Sequence, residues 1–136
     1  MLFFKRLHQL NQINFDTQGL GQTLSEVSNE QLNALAFGVI GFDDEGLVKV
    51  YNSYESKVAG LSLESVIDAD LFSTVAPCMN NFLVAQKFED AIDEKAELDE
   101  TMDYVLTLKM KPTRVKLRLI SAPQLPYNYV IILRSN

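Results

Sequence analysis

Alternation of apolar and polar positions is clearest in the last third of the chain. Thr101 to Met110, Thr113 to Ala122 and Tyr127 to Arg134 read as three strands, separated by Pro112 and by the Pro-Gln-Leu-Pro segment at 123–126. Two further strands flank Asp43, Asp44, Glu45 and Gly46, a hairpin turn with its glycine where a left-handed residue is needed. Between these groups the apolar spacing changes to three and four. Phe82, Ala85, Phe88 and Ile92 line one side of the longest helical pattern, which runs from Asn80 to Glu100 with its charged side toward water. Shorter helices are signalled by their caps: Ser28 or Asn29 before Glu30–Leu35, with Gly38 as a stop; Asn52 or Ser53 before a turn ending near Gly60; and Ser62 before a third. Asp16 to Val27, with two glycines, reads as a flexible connection. Phe3, Leu7 and Leu10 fall on one helical stripe with Phe4 at its edge, which predicts a short amphipathic helix docked on the domain, or a dimer or membrane-surface contact. Two strands, several short helices, one long helix and three strands predict an α+β domain with an antiparallel sheet.

Composition and charge narrow the function. At 136 residues the chain forms one domain, and 47% hydrophobic content without low-complexity tracts excludes a disordered segment. A net charge of −6 repels phosphate backbones unless the basic residues share one face. Lys109, Lys111, Arg114, Lys116 and Arg118 do cluster, but they nearly alternate with apolar residues and so read as the solvent side of strands; no nucleic-acid partner is expected. Lys5, Arg6 and His8 interrupt the apolar opening and no spanning stretch follows, so neither a signal peptide nor a transmembrane segment is expected. The single cysteine, Cys78, cannot close an internal disulfide, which points to a reducing cytoplasm.

That lone thiol is the first candidate for chemistry. A catalytic cysteine wants a histidine base, and the one histidine, His8, lies in the N-terminal segment; no enzyme is expected. Cys78 then stands either as a small buried hydrophobe or as an anchor for a ligand. Tyr51 and Glu55 are a second candidate pair. On a strand, residues four apart lie about 13 Å from each other, so the two share a site only if the chain turns into a helix after Tyr51, as a cap at Asn52 or Ser53 permits. Otherwise Tyr51 is a packed strand-end ring and Glu55 a solvated helix residue beside Lys57.

Four motifs in order, LNALAFGVIGFDDEG from Leu32, VYNSYE from Val50, VAPC from Val75 and MKPTRVKL from Met110, resemble the photoactive yellow protein family. The resemblance implies a PAS fold: a central antiparallel five-stranded sheet flanked by short helices and one long connector helix, over residues 29–136, with an N-terminal helical cap over 1–28. It implies a blue-light photoreceptor carrying p-coumaric acid (4-hydroxycinnamic acid) as a thioester on Cys78, beside Ala76 and Pro77, with Tyr51 and Glu55 holding the phenolate oxygen. A buried phenolate needs strong donors, and a tyrosine hydroxyl and a protonated carboxyl supply two. Burial and the adjacent anion would keep Glu55 protonated until trans-cis isomerisation takes its proton. The carboxylate left behind would loosen the N-terminal cap toward an unknown downstream signalling protein, the chain being a monomer or weak homodimer. Three positions depart from the family. Ala59 replaces a threonine that bonds the tyrosine, Leu61 an arginine that covers the pocket, and Leu108 a tyrosine near Met110, whose role in thermal recovery the resemblance retains. Without the threonine and the arginine, the phenolate is expected to hold its proton more tightly. The alternatives are a non-photochemical PAS module for another small ligand or a protein partner, and a light-independent dimerisation domain.

Overall fold

Two almost uninterrupted apolar runs, Val39 to Phe42 and Tyr129 to Leu133, lie side by side at the centre of the molecule. In the computed structural model, which describes residues 13–107 and 111–134, strand β1 (Gly38–Phe42) is buried at every position and β5 (Asn128–Arg134) at its first five. Continuous burial rather than alternation means that both faces of the sheet are covered. The strands run antiparallel in the order β2-β1-β5-β4-β3, with β2 at Val48–Tyr51, β3 at Leu98–Leu106 and β4 at Thr113–Ser121. Gly38 pairs with Ile132 and Leu117 with the same Ile132, so the register carries the core across the three middle strands.

The helices come in chain order: α1 (Leu20–Glu26), α2 (Asn29–Asn33), α3 (Ser53–Ala59), α4 (Leu63–Val66) and α5 (Ala85–Glu94), with tight turns at Leu71–Val75 and Pro77–Met79. On one face, Ile40, Phe42, Leu117, Leu119, Val130 and Ile132 pack with Val66, Leu71, Met79 and Phe88. Phe42 meets Phe72 and Phe88 edge-on, at 5.5 and 4.9 Å between ring centres. On the opposite face, Val39, Ile120, Tyr129 and Ile131 pack with Phe15, Leu20, Leu24, Leu32 and Phe37.

The five-stranded antiparallel PAS architecture is as the sequence implied, and the hairpin closes at Gly46 with φ +89°. Several local readings are corrected. The supposed flexible connection contains α1, whose Leu20 and Leu24 fill the second core; apolar residues four apart outweighed the two glycines. Gly38 is no helix stop but the first residue of β1. Helix α5 begins at Ala85, because Asn81 uses its side-chain oxygen to bond the amides of Leu83 and Val84 and so turns the chain first. Phe82 consequently stands 77% exposed instead of lining the helix. Lys95, left-handed at φ 52°, ends the helix, and β3 starts at Leu98 rather than Thr101. The stripe at Phe3, Leu7 and Leu10 lies outside the described residues, as do Leu108, Lys109 and Met110.

Arg118 corrects the reading of the basic cluster. Arg114 and Lys116 face water, but Arg118 is 8% exposed on the face opposite Phe42. Its guanidinium forks onto both oxygens of Asp99 at 2.8 Å and donates to the carbonyls of Phe15 at 2.9 Å and Thr17 at 2.8 Å. The segment ahead of α1 is thereby tied to the middle of the sheet. Arg118→Leu removes all four bonds; because Asp99 is half exposed, the expected loss is about 1–3 kcal/mol. It should appear as a lower denaturation midpoint with faster amide exchange around residues 15–24. An unchanged midpoint and exchange pattern would mean that apolar packing alone holds this segment.

Candidate functional site

The site is organised by an asparagine. Asn52 follows β2 directly and is completely buried. Its side-chain oxygen accepts from the amides of Val39 at 3.0 Å and Glu55 at 3.2 Å, and its amide nitrogen donates to the carbonyls of Leu32 at 3.2 Å and Phe37 at 3.0 Å. Its backbone N–H donates to Val39 O at 3.1 Å. One side chain therefore caps α3, closes the edge of β1 and fixes the end of α2. The chain is forced to turn from strand to helix immediately after Tyr51, the condition under which Tyr51 and Glu55 can share a site.

Glu55 occupies the third position of α3, where an acidic side chain ordinarily reaches back to the backbone of the cap. Here the Asn52 N–H is already committed to Val39. The carboxylate turns instead toward β5 and meets Arg134 in a two-pronged ion pair, Nη1 to Oε1 at 2.7 Å and Nη2 to Oε2 at 2.9 Å. Both side chains are shielded, at 1% and 10% exposure. Gly38 makes room for this pair: a β-carbon built there would lie 2.1 Å from Glu55 Oε1. Burial works against the charge on Arg134, but the hydrogen bond and charge of Glu55, with smaller contributions from Tyr54 and Tyr51, raise its pKa above the ordinary range. The Arg134 guanidinium also lies over the Tyr54 ring, 5.8 Å from its centre.

Tyr51 is 6% exposed, with its ring in the same core as Ile40 and Ile132. Burial pushes its pKa well up, the charge of Glu55 adds to that, and the charge of Arg134 opposes it. Its hydroxyl makes no hydrogen bond among the described residues. Ala76 belongs to this core, and Leu61 and Cys78 pack against it from the rim. Cys78 is a free, half-buried thiol in the short turn Pro77–Met79. Pro77 at the head of that turn is exposed, and Ala59 is buried.

The backbone under Cys78 is held from β3. The Tyr104 hydroxyl donates to Cys78 O at 2.6 Å and accepts from Asn81 Nδ2 at 2.7 Å, and the same amide nitrogen reaches Cys78 O at 3.2 Å. Arg134, Tyr104 and Asn81 are not candidate site residues on the sequence, and Gly38 reads there only as a helix stop. Arg134 enters the sequence reading only as the last residue of an apolar strand; its parity with Ile132 and Val130, which points it at the Tyr51 core, was the available signal.

No family model matches the chain. It is 33% identical over 113 residues to the photoactive yellow protein of Halochromatium salexigens, an alignment covering 83% of this chain and 90% of that one. The crystal structure of the photoactive yellow protein domain of the sensor histidine kinase Ppr from Rhodospirillum centenum superposes with a TM-score of 0.76 at 29% identity, covering 84% of this chain and 99% of that one. The PAS domain of nitrogen regulation protein NR(II) from Vibrio parahaemolyticus shares the fold at a TM-score of 0.56 and 12% identity, over 79% of this chain and 96% of that one.

Asn52→Ala tests the organising role. It strips partners from buried amides of Val39 and Glu55 and from buried carbonyls of Leu32 and Phe37, so stability should fall by roughly 2–4 kcal/mol. Chemical denaturation measures it; a loss below about 0.5 kcal/mol would mean that the surrounding backbone holds the turn without the side chain.

Proposed function

The chain belongs to the photoactive yellow protein family, and we propose that it is a blue-light photoreceptor that holds p-coumaric acid as a thioester on Cys78. The observation that carries this reading is the pairing of a tyrosine whose ring is buried, and whose hydroxyl makes no hydrogen bond among the described residues, with a buried carboxylate four residues on. These groups fit the phenolic end of such a ligand. Cys78, half-buried at the rim of the same apolar core, fits the acyl end.

When bound, the thioester-linked group supplies a visible-absorbing phenolate and a vinyl bond that isomerises from trans to cis in light. The protein's part is to hold and to exchange a proton. Tyr104 and Asn81 fix the backbone of the anchor turn, so the Cys78 sulfur starts from one position. Tyr51 donates its hydroxyl to the phenolic oxygen. Glu55, protonated beside that anion, donates the second hydrogen bond and gives up its proton when the phenolic oxygen is displaced. Arg134 then receives the Glu55 carboxylate. The sequence led us to expect an unpaired buried charge that loosens the fold; Arg134 supplies a partner, so the driving force for loosening is the loss of hydrogen bonds to the ligand rather than an orphaned anion.

Leu61 packs on the core where an arginine would cover the pocket, and Ala59 offers Tyr51 no hydroxyl. Leu108 and Met110 are assigned to the pocket by resemblance. The segment before residue 29 is the part assigned to respond, with a downstream signalling protein as its partner; the relative from Rhodospirillum centenum is a domain of a sensor histidine kinase. Among the described residues no helix is long and apolar enough to cross a membrane. The cytoplasmic location proposed rests on the single thiol, which cannot close an internal disulfide.

Cys78→Ser tests the anchor. Treated with an activated ester of p-coumaric acid, the natural chain should gain the mass of one acyl group and a chromophore band, and the serine variant neither, because a hydroxyl is a far weaker nucleophile than a thiolate. A serine variant that loads equally would move the anchor elsewhere. A natural chain that does not load, under conditions that load the Halochromatium relative, would leave a PAS module for some other ligand or partner.

A further inference from the structure

The ion pair between Glu55 and Arg134 bears directly on where one proton rests. If Glu55 and a bound phenol share a site, as proposed above, they share a single proton between them. In one arrangement the phenol keeps its O–H and donates to the Glu55 carboxylate; in the other Glu55 is protonated and donates to the phenolate. The two differ by transfer of that proton from one oxygen to the other, with the total charge of Glu55, phenol and Arg134 unchanged. Each carboxylate oxygen uses one lone pair on Arg134 and has another for a phenolic donor, so the first arrangement is stereochemically available without disturbing the ion pair.

Arg134 does not treat the two arrangements alike. With Glu55 ionised it makes two charge-assisted hydrogen bonds of good length inside a buried site, whereas with Glu55 protonated at least one weakens and the carboxyl's charge is gone. Gly38 leaves the space this geometry needs, since a β-carbon there would lie 2.1 Å from Oε1. Ordinary acidities push in the same direction: a phenol holds its proton about six pKa units more tightly than a carboxyl group. Against this stand the Tyr51 hydroxyl and the delocalisation of the phenolate charge into the ligand. Among the described residues, the titratable groups that act on the Glu55 carboxylate are Arg134 from β5 and Tyr51 from β2, and Tyr54 of α3 lies against Arg134.

We propose that Arg134 is a positioning residue that draws the shared proton from Glu55 toward the bound phenol, so that the resting protein carries a near-ultraviolet-absorbing, protonated population beside the yellow one. This inference rests on the photoreceptor reading. It deepens it in two respects: the resting protein senses shorter wavelengths as well as blue light, and the pairing of Glu55 with Arg134 in the ligand-free chain is also the pairing of the illuminated state. Arg134 thereby stabilises the illuminated state and slows the return of the proton to Glu55.

Absorption spectra of the loaded chain and of the Arg134→Gln and Glu55→Gln variants, recorded across the neutral pH range after the acyl adduct has been verified by mass, test the idea. The natural chain should show two bands in a ratio that does not change with pH through that range, because the two forms bind the same number of protons. Arg134→Gln should shift the ratio toward yellow by about tenfold or more, equivalent to one pKa unit between the two sites. Glu55→Gln removes the competing acceptor and leaves Arg134 to face the phenolate, so its two bands should interconvert in an ordinary pH titration. In the ligand-free natural chain, infrared difference against Glu55→Gln should reveal a carboxylate stretch and no protonated-carboxyl band. A single yellow band in the loaded natural chain, unchanged by Arg134→Gln, would overturn the assignment while leaving the photoreceptor reading intact. Failure of the natural chain to take up the acyl group would instead remove the photoreceptor reading itself. Should Arg134→Gln not fold, a loaded natural chain and a Glu55→Gln variant with the same single pH titration would overturn the proposal, and a pH-independent ratio converted to a titration by Glu55→Gln would support it.

Discussion

The geometry of this molecule depends on the bonds made by one buried side chain. Asn52 bonds two amides and two carbonyls where regular elements begin or end, at the end of α2, the start of β1 and the first turn of α3. Leaving such groups unpaired in a core costs more than any single packing contact returns. Given that knot, β2 must end at Tyr51, and Glu55 must lie one helical turn on, facing the same core. The two groups proposed to face a phenol are thus placed by backbone accounting and not by their own interactions.

Charge placement follows from the same constraint. Because the Asn52 N–H bonds Val39, Glu55 is not used as a cap, and a carboxylate pushed into a core without a partner would be untenable. Arg134 answers it from the neighbouring face of β5, and the absence of a side chain at Gly38 gives the pair its space. By the resemblance, Leu61 stands where an arginine would lie at the rim of the proposed pocket, while Arg134 lies against the Glu55 carboxylate. In the proposed loaded state the cation would therefore act on the proton's acceptor and not on the phenolate, which reverses the direction in which it biases the pair.

Much of this was legible in the sequence. The hairpin around Gly46, the helix starts at Ser28, Asn52 and Ser62, and the five strands follow from local turn and cap chemistry, which acts over a few residues and leaves a direct imprint. What stayed hidden depends on contacts distant in sequence. Arg118 and Arg134 look like solvated strand residues until the strand neighbours and the covering segments are known; 79 positions separate Arg134 from Glu55 and 103 separate Arg118 from Phe15. Asn81 is invisible for a different reason: it overrides the helical spacing of Phe82 through local hydrogen bonds that compete with the helix. Glycine content misled at α1, where burial of Leu20 and Leu24 outweighs propensity.

The two faces of the sheet are linked by this arrangement. Asn52, which sets the position of Glu55 toward the Tyr51 core, holds the carbonyl of Phe37, and the Phe37 ring meets Phe15 edge-on at 6.4 Å in the opposite core. Phe15 in turn gives its carbonyl to Arg118. In the proposed cycle, a displacement of α3 that strained the Asn52 bonds would have a contiguous route of hydrogen bonds and ring contacts to the segment ahead of α1, without requiring the central strands to separate. In the proposed cycle the response of that segment would depend on two terms of opposite sign: the hydrogen bonds lost at Tyr51 and Glu55, and the ion pair that Arg134 restores. A chain with this arginine has less excess energy to pass across the sheet than one whose glutamate is left alone, so its light response would be a limited release of the N-terminal segment rather than general loosening.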